Sequence, residues 1–445
     1  MRQIARENMA WLLGALLASA GVAYLGLETF LWSDYETEAA PAFAALVHGN
    51  VDMFLRLAPA YGGSFVERAP FALLPSLWGG GALAVYRAVA VPCLLAGAVL
   101  GVWLVARMRR AGAPRGARAL TLALCVANPI ALNALEIGHP EELLGACLCV
   151  AAVLLAASDR PLWAGLALGL AIANKEWALL AAAPTLLALA PRHRAACAAC
   201  ATAVTAAVLA PLALVHSGGF VAATRASAAP PATIFHQDQL WWFFGHHVAP
   251  GAASSVTAVG GRVGPAWANA ISHPLIVLVG LAIGLALYLV ERHRGTPTSV
   301  RSALLALALL LLLRCVLDTW DTPYYMLPFL LALLTWEAYA APPRLPLIAG
   351  TATALCSVTL LWLPGHATAD VQTVVFLGWT LPLAVALAGM LVVSVARPRR
   401  RSPAATAVPA QEITVSALSS PLSTSRPPSR TTSRSSIRTP SLPGR

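Results

Sequence analysis

Long apolar runs separated by short polar clusters set the pattern of this chain from residue 11 to residue 396. Runs able to cross roughly 30 Å of hydrocarbon recur along it. They predict membrane helices near 11–31, 82–106, 118–134, 140–157, 162–173 with 177–190, 195–215, 272–290, 300–317, 323–340, 345–363 and 371–396. Four polar clusters interrupt them: Ser33-Asp34-Tyr35-Glu36, Glu136 through Glu142, Asn174-Lys175-Glu176-Trp177, and Asp318-Thr319-Trp320-Asp321. The stretch 162–190 decides the topology, because it is long for one helix and short for two full crossings at about 1.5 Å per residue.

The arginines arbitrate. They fall in blocks: Arg107-Met108-Arg109-Arg110 with Arg115 and Arg118, Arg192-His193-Arg194, Arg292-His293-Arg294 with Arg301, and Arg397 to Arg401. All of them share one side only if 162–190 makes two passes and turns at Asn174-Lys175-Glu176. The positive-inside bias makes that side, and both termini, cytoplasmic. The expectation is an all-α polytopic membrane protein with about 12 membrane passes and all four polar clusters on the external face of the cytoplasmic membrane. A membrane domain covers 1–400. Residues 401–445, rich in Ser, Thr, Pro and Arg, read as a disordered cytoplasmic tail. Within the first external segment, 38–48 and 69–78 suggest short interfacial helices. The run Ile234 through His247 offers aromatics that anchor at the interface or line an acceptor groove.

Composition agrees: 58% of residues are hydrophobic and 11% charged, against about 25% charged in soluble domains. The net charge of +11 sits in the arginine blocks, so it marks a membrane side and not a nucleic-acid surface. The eight cysteines lie mostly inside apolar runs, which implies neither a disulfide framework nor a thiolate metal site. The first run follows Arg2 and Arg6 and lacks a small-residue cleavage site, so it reads as a retained anchor. There is no Gly-rich phosphate loop and no serine-hydrolase elbow. A group-transfer donor must therefore arrive already activated.

Each polar cluster has a structural and a chemical reading. Asp34, with Glu36 beside it, is either ordinary interface chemistry or a base for an attacking hydroxyl. His139, Glu141 and Glu142 follow a helix-starting Pro140 and either serve the helix start or point into a cavity. Adjacent residues diverge around a helix, so one glutamate at most is expected to face the site. Lys175 is a snorkelling lysine or a phosphate ligand, with Glu176 to balance it and Trp177 to pack on lipid or sugar. Asp318 and Asp321 are three apart, and His236, His246 and His247 match no tight zinc spacing, so no metal is expected. His236, Asp318 and Asp321 are taken as cavity residues.

In the order of its landmarks the chain resembles a known family. Ser33-Asp34-Tyr35 follows the first run, Asn128-Pro129 precedes Gly138-His139-Pro140-Glu141, and a Gly-rich run from Trp163 ends at Asn174-Lys175-Glu176-Trp177. These features resemble the polyprenyl-phosphate-sugar-dependent glycosyltransferases of the GT-C architecture, specifically glycosyltransferase family 87, which includes mycobacterial phosphatidylinositol-mannoside mannosyltransferases. The resemblance implies a GT-C-like bundle over 8–396 and an inverting hexosyltransferase, often a mannosyltransferase, that needs no cofactor. Its partners would be a polyprenyl-phosphate sugar donor, a lipid or glycan acceptor and membrane lipids. It implies Asp34 as the general base, Lys175 as the contact to donor phosphate, and His139 and Glu141 as residues shaping the cavity. The rival class is a secondary transporter or flippase of an anionic or lipid-linked substrate, in which Lys175 binds the anion and the acids couple ions. A lipid-binding scaffold is a third. Long external segments and clustering at one face favour the enzyme.

Overall fold

The computed structural model describes residues 2–28, 34–58, 62–228, 235–248 and 261–396. Ser33, Ile234 and the tail from 401 lie outside the described residues. The α-helices in chain order are α1 Arg2–Glu28, α2 Ala40–Val47, α3 Val51–Leu57, α4 Gly63–Ala72, α5 Ala82–Arg110, α6 Arg115–Val126, α7 Pro129–Ile137, α8 Glu141–Ala157 and α9 Pro161–Asn174. They continue with α10 Ala182–Ala188, α11 Pro191–Val215, α12 Ser217–Ala228, α13 Ala266–Arg294, α14 Val300–Leu317, α15 Met326–Ala338, α16 Leu347–Cys356 and α17 Ala369–Ala396. One two-stranded ribbon pairs His246–His247 with Arg262–Val263.

Local sequence explains the boundaries. Asn128 accepts a hydrogen bond from the Ile130 amide and Ser299 from the Ser302 amide, capping α7 and α14. Pro129, Pro161 and Pro191 occupy first helical positions, where the missing N–H costs nothing. Gly138 and Gly295 close α7 and α13 in the left-handed conformation.

The chain is a multi-pass all-α membrane protein, but about twelve passes is too many. Among the described residues seven helical segments are long and apolar enough to cross: α5, α6 continuing into α7, α11, α13, α14, α16 with the turns that extend it to Gly365, and α17. The expected count took every apolar run as a crossing. Several runs are cut short by their own punctuation, so that α9 and α15, with 14 and 13 residues, measure only about 20 Å each. α14 is buried on almost every side, whereas α11 and α13 leave most of their apolar surface exposed at the rim of the bundle.

The path of 161–188 follows the expected reversal. α9 runs parallel to α11: the Cys200 thiol meets the Leu162 carbonyl, Thr205 Oγ1 donates to the Gly169 carbonyl, and Ala173 and Leu209 both crowd Gly63. Asp159 before α9 and His193 in the first turn of α11 are 2.7 Å apart. The intervening chain therefore goes out and back, turning after Asn174, and neither arm is a spanning helix.

Among the described residues, arginines of three basic blocks collect at one end of the bundle; Arg397 to Arg401 lie outside the described residues. Arg107 stacks 3.7 Å from the Tyr339 ring, Arg301 5.3 Å from Trp336 and Arg118 5.8 Å from Trp11. Arg194 pairs with Glu291, and the Thr298 amide donates to Leu187. The polar clusters occupy the opposite end. There the short helices α2, α3 and α4 form a small aromatic layer in which Tyr35, Phe43, Phe54, Phe65 and Tyr86 are buried together.

Candidate functional site

Three close backbone approaches assemble the polar end. Gly138 has φ +110°, and a Cβ there would lie 2.6 Å from Tyr35. The α7–α8 junction can thus sit directly against the residue after Asp34. Gly63 lets the start of α4 rest on the carbonyl of Ala173 at the end of α9. In α8, Gly145 leaves room for Asn174 and the Trp177 ring. Tyr35 is fixed by a tilted ring contact 4.4 Å from Tyr86, whose hydroxyl donates to the Leu135 carbonyl.

These approaches bring Asp34, His139, Glu141, Glu142 and Lys175 into one network. His139 Nδ1 lies 2.8 Å from Glu141 Oε1, and its Nε2 lies 3.3 Å from Asp34 Oδ2. Arg68 Nη2 is 3.1 Å from Glu141 Oε2. Lys175 Nζ is 3.4 Å from both Glu141 Oε1 and Glu142 Oε1. The Asn174 amide donates to the Glu141 carbonyl at 3.0 Å. All of these groups are buried except Asp34, whose side chain is 39% exposed. The network therefore opens outward through one carboxylate.

Its electrostatics follow from burial against pairing. Burial opposes a charged His139, but Glu141 and Asp34 prevail and raise its pKa to about 9. Burial also opposes ionisation of Glu141, yet Arg68, Lys175 and His139 together hold it well below the usual carboxylate range. Lys175 is likewise penalised by burial and pushed up on balance by Glu141 and Glu142. Both glutamates contact Lys175 in this network, where at most one was expected to face it. They start α8 on diverging directions, and the lysine nitrogen sits between them; neither caps the helix.

The loop after α14 adjoins this network through Tyr324, whose ring lies 4.7 Å from that of His139. Asp318 Oδ1 accepts from the Trp320 amide at 3.0 Å and lies 3.2 Å from His273 Nε2. Asp318 and Asp321 are held in opposite ways. Burial would raise Asp318, but His273 and Arg314 lower it on balance. Asp321 is pushed well up, first by burial and then by Asp318, and its carboxylate oxygens are buried without an aligned hydrogen-bond partner. His236 is fixed by its amide, which donates to the Thr319 carbonyl at 3.0 Å. Burial lowers its pKa against the fields of Asp318 and Asp34. Among the described residues no group of three or more His, Cys, Asp or Glu is placed to hold a metal.

Other expected site residues are placed differently. Glu36 and Glu176 are exposed. Trp177 is buried beside Arg314, whose guanidinium lies 5.2 Å from its ring and 3.9 Å from that of Tyr325. The aromatic run is split: Trp241 and Trp242 are buried, while Phe243 and Phe244 are exposed. Trp242 Nε1 donates to Asp370 at 2.7 Å, and Arg262 grips the same carboxylate with two contacts of 3.0 Å. His246 and His247 are exposed on their strand. Arg68 and Arg314 were not expected at all. For Arg314 the signal is a charge inside an apolar run, which membrane-embedded sequence carries only at a cost; Arg68, next to Glu67, gives no such signal.

A family model, glycosyltransferase family 87, matches residues 63–317, more than half of the chain. No curated protein matches, nor does any solved structure.

Proposed function

The chain belongs to glycosyltransferase family 87, a family of the GT-C superfamily, and from that premise we propose that it transfers a sugar from a polyprenyl monophosphate sugar to a lipid or glycan acceptor with inversion at C1. Mannose is the proposed sugar, by resemblance to the phosphatidylinositol-mannoside mannosyltransferases. The external face of the cytoplasmic membrane is the proposed setting, because the polar network lies at the end opposite the arginine blocks. Family membership favours this reading over a transporter or flippase.

The observation that carries the reading is the single partly exposed carboxylate, Asp34, backed by His139 and, behind it, Glu141. In the proposed step the acceptor oxygen bonds to C1 as the C1–O bond to phosphate breaks. The hydroxyl proton passes to Asp34, and the electron pair stays on the departing polyprenyl phosphate. His139 holds the Asp34 carboxylate in place. Lys175, with Arg68 and charged His139, supplies a positive field where phosphate charge develops. Lys175 meets its glutamates at 3.4 Å, longer than the roughly 2.7–2.9 Å of a tight charge-assisted bond. That geometry suits a lysine that trades partners when a phosphate arrives. Trp177, His236, Asp318, Asp321 and Glu36 are proposed to bound the surrounding cavity, with no metal required.

The test is transfer of radiolabelled mannose from polyprenyl-phosphate mannose to native lipid extract, in membranes holding wild type or Asp34→Asn at matched abundance. Loss of a general base costs about 10²–10⁴ in rate. Undiminished transfer by the variant would remove Asp34 from the chemistry.

A further inference from the structure

At the opposite end of α14 lies a cavity that the transfer reaction does not use. It occupies about 550 Å³ between α14, α15 and α17. One wall is polar: Ser299, Ser302 and Ser394 supply hydroxyls, with Ser302 Oγ and Ser394 Oγ 3.1 Å apart. Arg301 stands beside them, its guanidinium 5.3 Å from the Trp336 ring and its Nε buried without a hydrogen-bond partner. The other wall, from Leu305, Gly389, Met390 and Val393, is apolar.

Three features make this an anion site with a greasy wall. Among the described residues Arg301 makes no ion pair, and the charged group acting on it most strongly is a second cation, Arg344. A buried guanidinium nitrogen with no acceptor is costly and is relieved by an oxyanion. The first turn of α14 points its positive dipole end at the same place. The apolar wall continues onto Val393, which is 47% exposed on the outer surface of α17, where acyl chains lie in a bilayer. The 17-residue separation of Arg301 from Asp318 puts the cavity about 25 Å along α14 from the candidate active site. It therefore sits at the other interface, among the arginine blocks.

We propose that this cavity binds the phosphate headgroup of an anionic phospholipid, with Arg301 and the serine hydroxyls on the phosphate and the Leu305–Val393 wall against an acyl chain. A free phosphate ester shares the headgroup chemistry but gains nothing from the apolar wall.

The test is native mass spectrometry of the full chain released from nanodiscs of equal phosphatidylglycerol and phosphatidylcholine. One phosphatidylglycerol should be retained by the wild type, with about tenfold less occupancy in Arg301→Gln, as expected for losing one charge-assisted contact, and partial recovery in Arg301→Lys. A second variant approaches from the other wall. A Cβ at Gly389 meets nothing within 4 Å, so Gly389→Leu should fold, fill the cavity and expel the lipid while every charge remains. Equal retention in wild type and Arg301→Gln, or full retention in a folded Gly389→Leu, overturns the site. Retention of phosphatidylcholine in equal measure overturns the anion preference. Displacement of the lipid by millimolar glycerol 3-phosphate overturns the lipid in favour of the free ester.

Discussion

Replacing His139 with Asn should remove most of one specific pH dependence of stability. Buried His139 is charged only because Glu141 and Asp34 overcome the penalty of burial, and its pKa rises from 6.5 to about 9. At about 1.36 kcal/mol per pH unit, that difference amounts to about 3 kcal/mol. The folded-state value lies above the unfolded one, so folding takes up a proton. The stabilisation is complete below pH 6.5 and is lost as pH rises through about 9. Glu67 and Asp238, both raised to about 8 mainly by burial, also lower stability as pH rises towards 8. The difference between wild type and variant isolates the histidine. The assay is the unfolding midpoint of the full chain in nanodiscs, read by tryptophan fluorescence at pH 6.5, 8 and 9.5. The gap between the two proteins should be widest at pH 6.5 and shrink by pH 9.5 to the constant cost of the smaller side chain. Parallel curves over the whole range would refute the charged, doubly bonded imidazole.

Glu141→Gln should cost about 3–5 kcal/mol in the same unfolding measurement at pH 7, because it removes the one carboxylate that buried Arg68, His139 and Lys175 share; a change below about 1 kcal/mol would show that the network is solvated. Gly138→Ala should cost about 1–3 kcal/mol and lower sugar transfer at least tenfold, since its Cβ would displace Tyr35 and with it Asp34. Gly112→Ala, also at positive φ but in open space, should leave transfer unchanged, and equal losses in the two variants would disconnect Gly138 from the site.

Much of the site can be read from the sequence because polar residues are conspicuous in an apolar chain. Asp34, His139, Glu141 and Lys175 stood out on that ground, and the arginine blocks correctly placed the reversal after Asn174. What stayed hidden was distance. Hydropathy gives the length of an apolar run but not where its helix stops, so the runs that form α1, α8, α9, α10 and α15 read as crossings although none of these helices is among the seven long and apolar enough to span. Arg68 lies just before the stretch 69–78 that reads as an interfacial helix, and only the packing of α4 on α9 through Gly63 shows it reaching Glu141. Arg314 sits inside a leucine run that reads as a membrane span, and leucines alone do not separate a lipid face from a protein interface. Trp241 and Trp242 read as interface anchors or as the lining of an acceptor groove because aromatic content says nothing about which ring is covered; their partners, Leu317 and Asp370, are 76 and 128 residues away.

The charge balance of the network bears on turnover. Arg68, His139 and Lys175 face Asp34, Glu141 and Glu142, three formal cations against three carboxylates. An enzyme that leaves its product with a more highly charged phosphate than its substrate faces a trap: a strongly cationic cleft would grip the spent carrier harder than the loaded one. Here each cation already has an internal anion to return to. On the proposed reaction, departure of the carrier would restore the resting pairs instead of exposing bare charge, and the glutamates that pair with the lysine between cycles would compete the product off at the end of each one.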